Sequence, residues 1–345
     1  MKSFCLITLL AVTPLLAIAG NNEPTTPMSP PSDSVKTLMI EQAALMYPMM
    51  RQFSITHEEN GVGEIRSKLN GNDFSKSDFR STVTKINFNI PIFKRGNNGV
   101  SMSIGGIHRE YEVSNVRNYN AQNSVFDSDL SVPMLSAGLS YMRNAILFGK
   151  NVTFTGVASG IFTPSFDQSQ FTFTFSGLAL VPFIQRPYTR LSVGAVLLLN
   201  SASPVPIFFM ATYYHKFKAC DLDLMIDMPY RIALRKQMGR RTSLSFVSEL
   251  GGTNSFFEFN HPMQAGDDQK LILSSLDMKT GLLAEYRLTR KAVLSLNAGA
   301  NYIVNDRIRK NNDKPKDYFF ENMHKPVPFV QVGLSLLPFW KGLNL

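Results

Sequence analysis

The stretch AVLSLNAGANYIV, residues 292–304, alternates between two kinds of side chain. One set is apolar: Ala292, Leu294, Leu296, Ala298, Ala300, Tyr302 and Val304. The set between them is mostly small or polar and includes Ser295, Asn297, Gly299 and Asn301. A period of two is typical of a β-strand with one apolar face. This stretch therefore predicts a long strand between two different environments.

The same alternation recurs along most of the chain. It is clearest in residues 135–141, 191–197 and 330–336. Further strands are predicted near residues 50–58, 80–92, 99–113, 151–162, 171–182, 206–217, 221–236, 241–257 and 271–288. No stretch between them has the pattern of a long amphipathic helix. The sequence therefore predicts an all-β protein.

Strand length and composition favour a membrane barrel over a soluble sandwich. Many alternating runs extend well beyond the ~5–6 residues of an average strand, and a transmembrane strand needs ~9–11. The polar faces are mostly Ser, Thr, Asn and Gly, only 18% of all residues are charged, and 11% are aromatic. Such a face suits a lumen, and aromatic residues suit the membrane interfaces. We expect a transmembrane, antiparallel, up-and-down β-barrel, with a soluble periplasmic β-protein as the alternative.

Connection lengths support a barrel and bound the number of strands. Short turns are predicted at residues 94–99, 148–151, 183–188, 218–221, 237–241 and 289–291. Longer polar connections are predicted at 59–79, 114–131, 163–170, 258–270 and 306–325. Short periplasmic turns alternating with longer outer loops are typical of outer-membrane barrels. A break at Pro229 gives fourteen strands, whereas placing residues 49–58 outside the wall gives twelve, so we expect twelve to fourteen.

The N-terminus has the features of an export signal. Lys2 precedes an apolar run that ends in Ala17-Ile18-Ala19, which predicts a cleaved signal peptide over residues 1–19. Residues 20–44 are predicted to be a flexible Pro- and Ser-rich segment, and residues 45–345 the barrel. Cys5 leaves with the signal, so Cys220 has no partner for an intramolecular disulfide. Outer-membrane localisation in a Gram-negative bacterium is the corresponding prediction.

Charged residues fall on the predicted lumen face of several neighbouring strands. Facing lipid at mid-depth, Arg or Lys would cost ~2–4 kcal/mol, which fixes the register. The functional interpretation is a charged constriction that selects solutes, and the alternative is a buried ion-pair network that fills the barrel. The lumen-lining candidates are Asp223, Asp227, Arg231, Arg235, Glu249, Asp277, Lys279, Glu285 and Arg287.

No motif predicts catalysis, a cofactor or a metal site. His57-Glu58-Glu59 has no second histidine at helical spacing, and the chain contains neither a G-x-S-x-G elbow nor a P-loop. The formal net charge of +9 comes from scattered Lys and Arg, which speaks against a nucleic-acid partner. Basic groups near the membrane surface instead predict contacts with anionic outer-membrane lipids.

Three stretches carry a resemblance to a known family: RQFSITHEENG (51–61), INFNIPIF (86–93) and LDLMIDMPYRIAL (222–234). Together with the last strand, which ends in Phe339-Trp340, they resemble Gram-negative outer-membrane β-barrels, and more narrowly a barrel family known only as a domain of unknown function. The resemblance covers roughly residues 45–340 and implies dependence on the barrel-assembly machinery. The sequence departs from the common pattern because Trp340 is followed by Lys-Gly-Leu-Asn-Leu.

Three functions are compatible with these features. The leading hypothesis is a passive channel or transport barrel for small solutes, without enzymatic activity, because the lumen face is polar and catalytic motifs are lacking. The second is a structural or surface-interaction barrel with a closed, salt-bridged lumen and functional outer loops. The third is a barrel enzyme that acts on lipids.

Overall fold

The computed structural model describes residues 33–119, 127–147, 149–164, 170–199, 206–258, 270–310, 313–314 and 316–339. The predicted signal peptide, including Cys5, lies outside these residues. None of the described helices has the length and apolar character needed to cross a membrane.

A helix, α1 (Asp33–Met46), and a 3₁₀ turn (Pro48–Met50) precede a chain that otherwise forms strands. The strands are β1 (Phe53–Leu69), β2 (Asn72–Arg95), β3 (Asn98–Asn118), β4 (Ser128–Leu147), β5 (Lys150–Thr163), β6 (Gln170–Arg186), β7 (Thr189–Leu199), β8 (Ile207–Phe217), β9 (Leu222–Met228), β10 (Arg231–Met238), β11 (Thr242–Glu258), β12 (Lys270–Arg287), β13 (Ala292–Lys310), β14 (Phe320–His324) and β15 (Val327–Leu336).

The strands form one closed, antiparallel barrel in which sequence neighbours are also neighbours in space. β1 pairs with β15, and β12 pairs with β13, so the sheet has no free side. β14 and β15 both lie between β13 and β1 and are two pieces of one interrupted strand. The barrel therefore has fourteen strands. The predicted break at Pro229 is confirmed, because β9 ends at Met228 and β10 begins at Arg231.

Alternation fixes which face of each strand points inward. On β10, Arg231, Ala233 and Arg235 are buried, whereas Ile232 and Leu234 are 47% and 37% exposed on the outer wall. The outer wall carries many further exposed apolar side chains, among them Phe173, Phe209, Leu282 and Leu296. A slip of one residue would turn both arginines toward lipid, so the pattern permits one register only.

The two ends of the barrel differ as the sequence predicted, with one correction. The short turns near residues 96–97, 187–188, 218–221, 239–241 and 288–291 share one end with the start of β1 and the end of β15. By the usual polarity of outer-membrane barrels this end is periplasmic.

The predicted long connection at 59–79 is wrong: these residues extend β1 and β2 to a tight turn at Asn70-Gly71, where both φ angles are positive. An Asn-Gly pair suits such a hairpin turn.

Strand lengths make the opposite, outer rim uneven. β2 has 24 residues and β3 has 21, whereas β9 has 7 and β10 has 8. At ~3.3 Å per residue, β2 is far longer than the ~30 Å hydrocarbon core requires. The wall therefore rises high above the membrane at β1–β3 and ends low at the β9–β10 turn, Pro229-Tyr230.

Helix α1 occupies part of the segment that the sequence predicted to be flexible. Its apolar residues do not form one clean stripe, since Leu38, Met39 and Ile40 are all partly exposed while Ala44 is fully buried. The helical period is therefore hard to see in the sequence. Most helical stability comes from packing of a buried face, and here the barrel supplies that packing. We refer to residues 33–50 as the N-terminal plug.

Candidate functional site in the barrel lumen

The N-terminal plug lies in the periplasmic end of the lumen and is held there by apolar contacts. Tyr47 packs with lumen-facing Met225, Ala233 and Val247 on β9, β10 and β11. Ala44 forms a second buried cluster with Val293 at the start of β13 and with Leu337 after β15. Because Met225, Ala233 and Val247 face inward, the end of the plug around Tyr47 is inside the barrel, whereas Ala44 lies at the periplasmic rim.

Arg51 connects the plug to the wall by hydrogen bonds. Its Nε donates to the carbonyl oxygen of Ala44 at 3.1 Å and its Nη1 to Ser335 Oγ at 2.9 Å. Its Nη2 forms an ion pair of 2.5 Å with Glu285 Oε1 on β12, and both side chains are almost completely buried. Lys291, at the turn before β13, donates to Glu41 of α1 and, at 2.6 Å, to the carbonyl oxygen of Pro338.

A second ion pair crosses the lumen interior. Lys279 Nζ, on β12, donates to the two carboxylate oxygens of Glu58, on β1, at 2.5 and 2.7 Å. Glu58 is 2% exposed and also accepts from Asn60 Nδ2 at 3.1 Å. Asn60 Oδ1 in turn accepts from Asn301 Nδ2 at 3.0 Å. β13 and β15 separate the two partner strands, so the pair joins parts of the wall that share no backbone hydrogen bonds.

The predicted lumen charges lie together on one side of the barrel. Arg231 Nε is 3.3 Å from Glu249 Oε1, and its Nη1 donates to the carbonyl oxygen of Met46 in the plug. Arg235 Nη1 lies 3.9 Å from Asp223 Oδ2, and Asp223 Oδ1 accepts a hydrogen bond from Tyr214 Oη at 2.8 Å. Asp277 Oδ2 lies 3.6 Å from Lys279 Nζ.

Two of the predicted charges differ from the rest. Asp227 is 6% exposed, and its Oδ2 accepts no hydrogen bond from any residue that the structure describes. Arg287 is half-buried near the periplasmic turn and makes no ion pair within the described part of the chain. Among the described residues, neither Asp227 nor Arg287 therefore takes part in the ion pairs formed by the other seven predicted charges.

Sequence reasoning missed several residues that belong to this network. Glu58 was considered only beside His57, and Arg51 was not chosen. Arg51 precedes the first strand, and Glu58 stands between two other charged or polar residues, so neither lies in a clean alternation. The signal for the Glu58–Lys279 pair would have been opposite charges at the same height on β1 and β12. The relative heights of strands that are distant in the chain cannot be read from one sequence.

The lumen face of β4–β8 is different. Between the two rims it carries small hydroxyl-bearing, glycine and apolar residues and no charge: Ser136, Gly138, Ser140, Thr153, Thr155, Val157, Ser159, Thr174, Ser176, Leu178, Leu180, Ser192, Gly194, Val196, Phe208, Met210 and Thr212. We call this side the uncharged half and the side formed by β9–β13, β15 and β1 the charged half. Except for Tyr214, near the periplasmic turn of β8, the described wall contacts of the N-terminal plug lie outside the uncharged half.

Outside the membrane region, a surface cluster surrounds Glu64 on the raised part of β1. Its carboxylate lies 2.8 Å from Lys76 Nζ, 3.1 Å from Lys325 Nζ and 3.2 Å from Arg66 Nε. The hydrogen bond with Lys76, followed by that with Lys325, lowers the pKa of Glu64 to about 2. This cluster joins β1, β2 and the connection between β14 and β15.

The histidines do not form a recognisable catalytic centre. His324 Nε2 lies 2.7 Å from Asp306 Oδ2, which also accepts from Asn322 Nδ2 at 3.1 Å. His57 and His215 each contact a threonine hydroxyl, and His261 lies outside the described residues. The described part of the chain holds no group of three or more potential metal ligands. The prediction that the protein is not an enzyme stays a prediction.

A closed fourteen-stranded wall, an apolar outer surface and a polar lumen define an outer-membrane β-barrel, here with a helical segment inside its periplasmic end. Residues 49–336 match the model of DUF6268, a domain of unknown function, and the chain belongs to that family. No curated protein matches the chain significantly.

Solved structures similar to this chain are distant. The COG4313 outer membrane channel from Pseudomonas putida F1 is 10% identical, over 82% of this chain and 94% of that one, with a TM-score of 0.38. The toluene transporter TodX from Pseudomonas putida is 11% identical, over 82% and 88%, with a TM-score of 0.33. The translocator domain of the autotransporter NalP from Neisseria meningitidis is 8% identical, over 89% and 98%, with a TM-score of 0.28. Likeness this distant does not indicate what a protein transports.

Proposed function

We propose that the protein is a passive channel for small solutes, whose path runs between the N-terminal plug and the uncharged half of the wall. The observation that carries the proposal is the one-sided seating of the plug. Its described contacts hold it against the charged half and, apart from Tyr214, involve no residue of β4–β8. Hydroxyl groups on that face can replace water around a passing polar solute.

The width of the barrel agrees with this function. Eight strands enclose an interior that side chains just fill, and sixteen or more enclose an aqueous channel. Fourteen strands lie between these cases, so the wall can enclose more than its own side chains. The N-terminal plug and the Glu58–Lys279 pair occupy part of the remaining space on one side. A passage on the other side is then narrow and selects by size.

Conductance across a planar bilayer tests the proposal. The protein is expressed from its full-length gene, extracted from outer membranes in detergent and checked for folding by heat-dependent gel mobility. We expect discrete, stable current steps. A folded protein that leaves the bilayer silent would contradict the channel function and favour a closed barrel acting through its outer loops.

A disulfide lock tests the route. Ala44 and Val293 are in one buried cluster, so A44C/V293C in a Cys220→Ser background ties α1 to β13. Since the proposed path passes beside the seated plug, the oxidised protein should conduct as well as the same protein after reduction. Current that appears only after reduction would show that the plug must leave, and the route proposed here would be wrong.

A charge placed on the proposed path gives a second test. Thr155, on β5, is buried and faces the lumen. Thr155→Arg should lower conductance and shift ion selectivity toward anions, because the new charge lines the path. Thr155→Val, which has nearly the same size and no charge, is the matched control and should leave selectivity unchanged.

A further inference from the structure

One carboxylate in the lumen lacks the partners that its neighbours have. Asp227 faces the lumen at the end of β9, is 6% exposed, and its Oδ2 accepts no hydrogen bond from a described residue. A buried acceptor without a donor costs stability, and a carboxylate costs more than a neutral group. Such a group is retained at a cost unless a ligand supplies the missing donor.

The neighbouring cation is already engaged. Arg231 lies directly opposite Asp227 in the register of β9 and β10. Its guanidinium is paired with Glu249 and donates to the carbonyl oxygen of Met46. Arg231, Glu249 and Asp227 together therefore carry a net charge of −1, which favours a cationic group at Asp227.

An apolar surface lies next to this carboxylate. Leu178, Leu180 and Val196 form a buried cluster with Phe208 and Met210 packed against it, and we call these five residues the apolar shelf. Thr212 is opposite Asp227 in the register of β8 and β9, and Met210 is the next residue on the same face. Diagonal cross-strand neighbours of this kind are about 7–8 Å apart, so a small molecule can touch both groups at once.

The position in the barrel makes the site reachable from outside. The N-terminal plug lies on its periplasmic side, where Tyr47 packs on Met225. On the outer side, β9 and β10 end at the turn Pro229-Tyr230, which follows Asp227 and Met228 directly. A ligand from the external medium therefore has a short way to Asp227.

We propose that Asp227 and the apolar shelf form a binding site for a small apolar molecule with one ammonium group. The ammonium donates to the Asp227 carboxylate, and the hydrocarbon part packs on Phe208 and Met210, the two shelf residues that are only partly buried. This inference rests on the proposed channel function, since it names the class of solute that binds in the same lumen. A bare metal ion would leave the shelf uncovered, and a carboxylate would be repelled.

Equilibrium binding tests the site independently of flux. Titration calorimetry uses the detergent-solubilised full protein with 4-phenylbutylamine, 4-phenylbutanol and 4-phenylbutyrate, each corrected for its heat of partition into empty micelles. We expect the amine to bind most tightly and Asp227→Asn to weaken it roughly tenfold or more, as loss of a charged hydrogen bond would. Asp129→Asn, at an exposed carboxylate on β4, is the control and should bind as the wild type does.

A second variant approaches the same site from its apolar side. Met210→Gln keeps the length of the side chain and adds a polar amide, so it should weaken the amine and the alcohol by a similar factor. This variant also tests the site if Asp227→Asn does not fold. Equal affinity for amine and butyrate, or an amine affinity that neither variant changes, would overturn the inference. Current steps without amine binding would support the channel function and contradict the amine site. Amine binding by a protein that leaves the bilayer silent would support the site and contradict the channel function.

Discussion

The two halves of the lumen wall are built from the same alternating strands but fill the interior in different ways. In the charged half, Lys279 reaches Glu58 across the lumen and Arg51 joins the N-terminal plug to Glu285. In the uncharged half, β4–β8 present small hydroxyl and apolar side chains, and the plug's only described contact there is Tyr214, near the periplasmic turn. One barrel thus combines a side that fixes a plug with a side that carries no charge between its rims.

This difference shows where the barrel wall places its buried charges. Buried ion pairs are costly unless each charge is fully paired, so they are best gathered where the plug excludes water and supplies partners. Side chains without charge need no such partners and tolerate a wet lumen. The predictions below are ordered from the largest expected effect to the smallest.

Removing the charge that crosses the lumen should have the largest effect on the charged half. Lys279→Met leaves Glu58, which is 2% exposed, without its cation. We expect a loss of about 3–5 kcal/mol in the free energy of unfolding, measured by urea denaturation in detergent. The double variant E58Q/K279M removes both charges and should recover much of this loss. A single variant as stable as the wild type would mean that the pair is not buried in solution.

Arg231→Ala should have a smaller effect, because its partner Glu249 is partly exposed. The substitution removes one ion pair and the hydrogen bond to the carbonyl oxygen of Met46. We expect a loss of about 2 kcal/mol in the free energy of unfolding. Loosening of the N-terminal plug should also make α1 more sensitive to added protease. Arg66→Ala, at an exposed ion pair, is the control, and unchanged protection of α1 would show that Arg231 does not hold the plug.

The Glu64 cluster allows ion pairs at the water-exposed surface to be compared with ion pairs in the lumen. Its folded pKa of about 2 lies below the unfolded value near 4.5, so its contribution to stability is present above about pH 4.5 and is lost as the pH falls toward 2. Carbon-13 NMR of glutamate-labelled protein should show a carboxyl titrating near 2 that Glu64→Gln removes. Added salt should raise that midpoint, because the cluster is at the surface. A midpoint near 4.5 at low salt would show that the cluster does not form.

The smallest effect is expected in the uncharged half. Ser159, on β5, is 7% exposed and faces the lumen. Ser159→Ala should change the free energy of unfolding by no more than about 0.5 kcal/mol, since the hydroxyl is not part of a charged network. The measurement is the same urea titration that serves for Lys279→Met. A loss comparable to that of Lys279→Met would remove the distinction between the two halves.

The barrel wall was predictable because its physics is local. Strict alternation in residues such as Leu222–Leu234 already places Asp227 and Arg231 inside, as an arginine facing lipid would be too costly. The break at Pro229 followed from the same segment. The extent of the raised strands was missed at 59–79, where polar residues occupy both faces because neither face meets lipid.

The partners within the lumen were not predictable, because they are set by contacts between distant parts of the chain. Glu58 and Lys279 are 221 residues apart, and Arg51 and Glu285 are 234 apart. Residues 20–44 were predicted to be flexible because the helix that includes residues 33–44 is stabilised by contacts with Val293 and Leu337 rather than by its own sequence pattern. The free acceptor of Asp227 likewise became visible only once Arg231 was seen to be engaged elsewhere.

The way in which the two chain ends meet has a consequence for the order of assembly. Gln52 donates its backbone N–H to the carbonyl oxygen of Leu336, and Phe339 donates its own to Gln52 Oε1. The wall partners of the N-terminal plug also come late in the chain: Glu285, Val293, Ser335 and Leu337. The N-terminal plug therefore has no complete binding surface until the last strand is in place. Closure of the barrel and complete seating of its plug are therefore coupled, since the contacts of Tyr47 with β9–β11 supply only part of the binding surface.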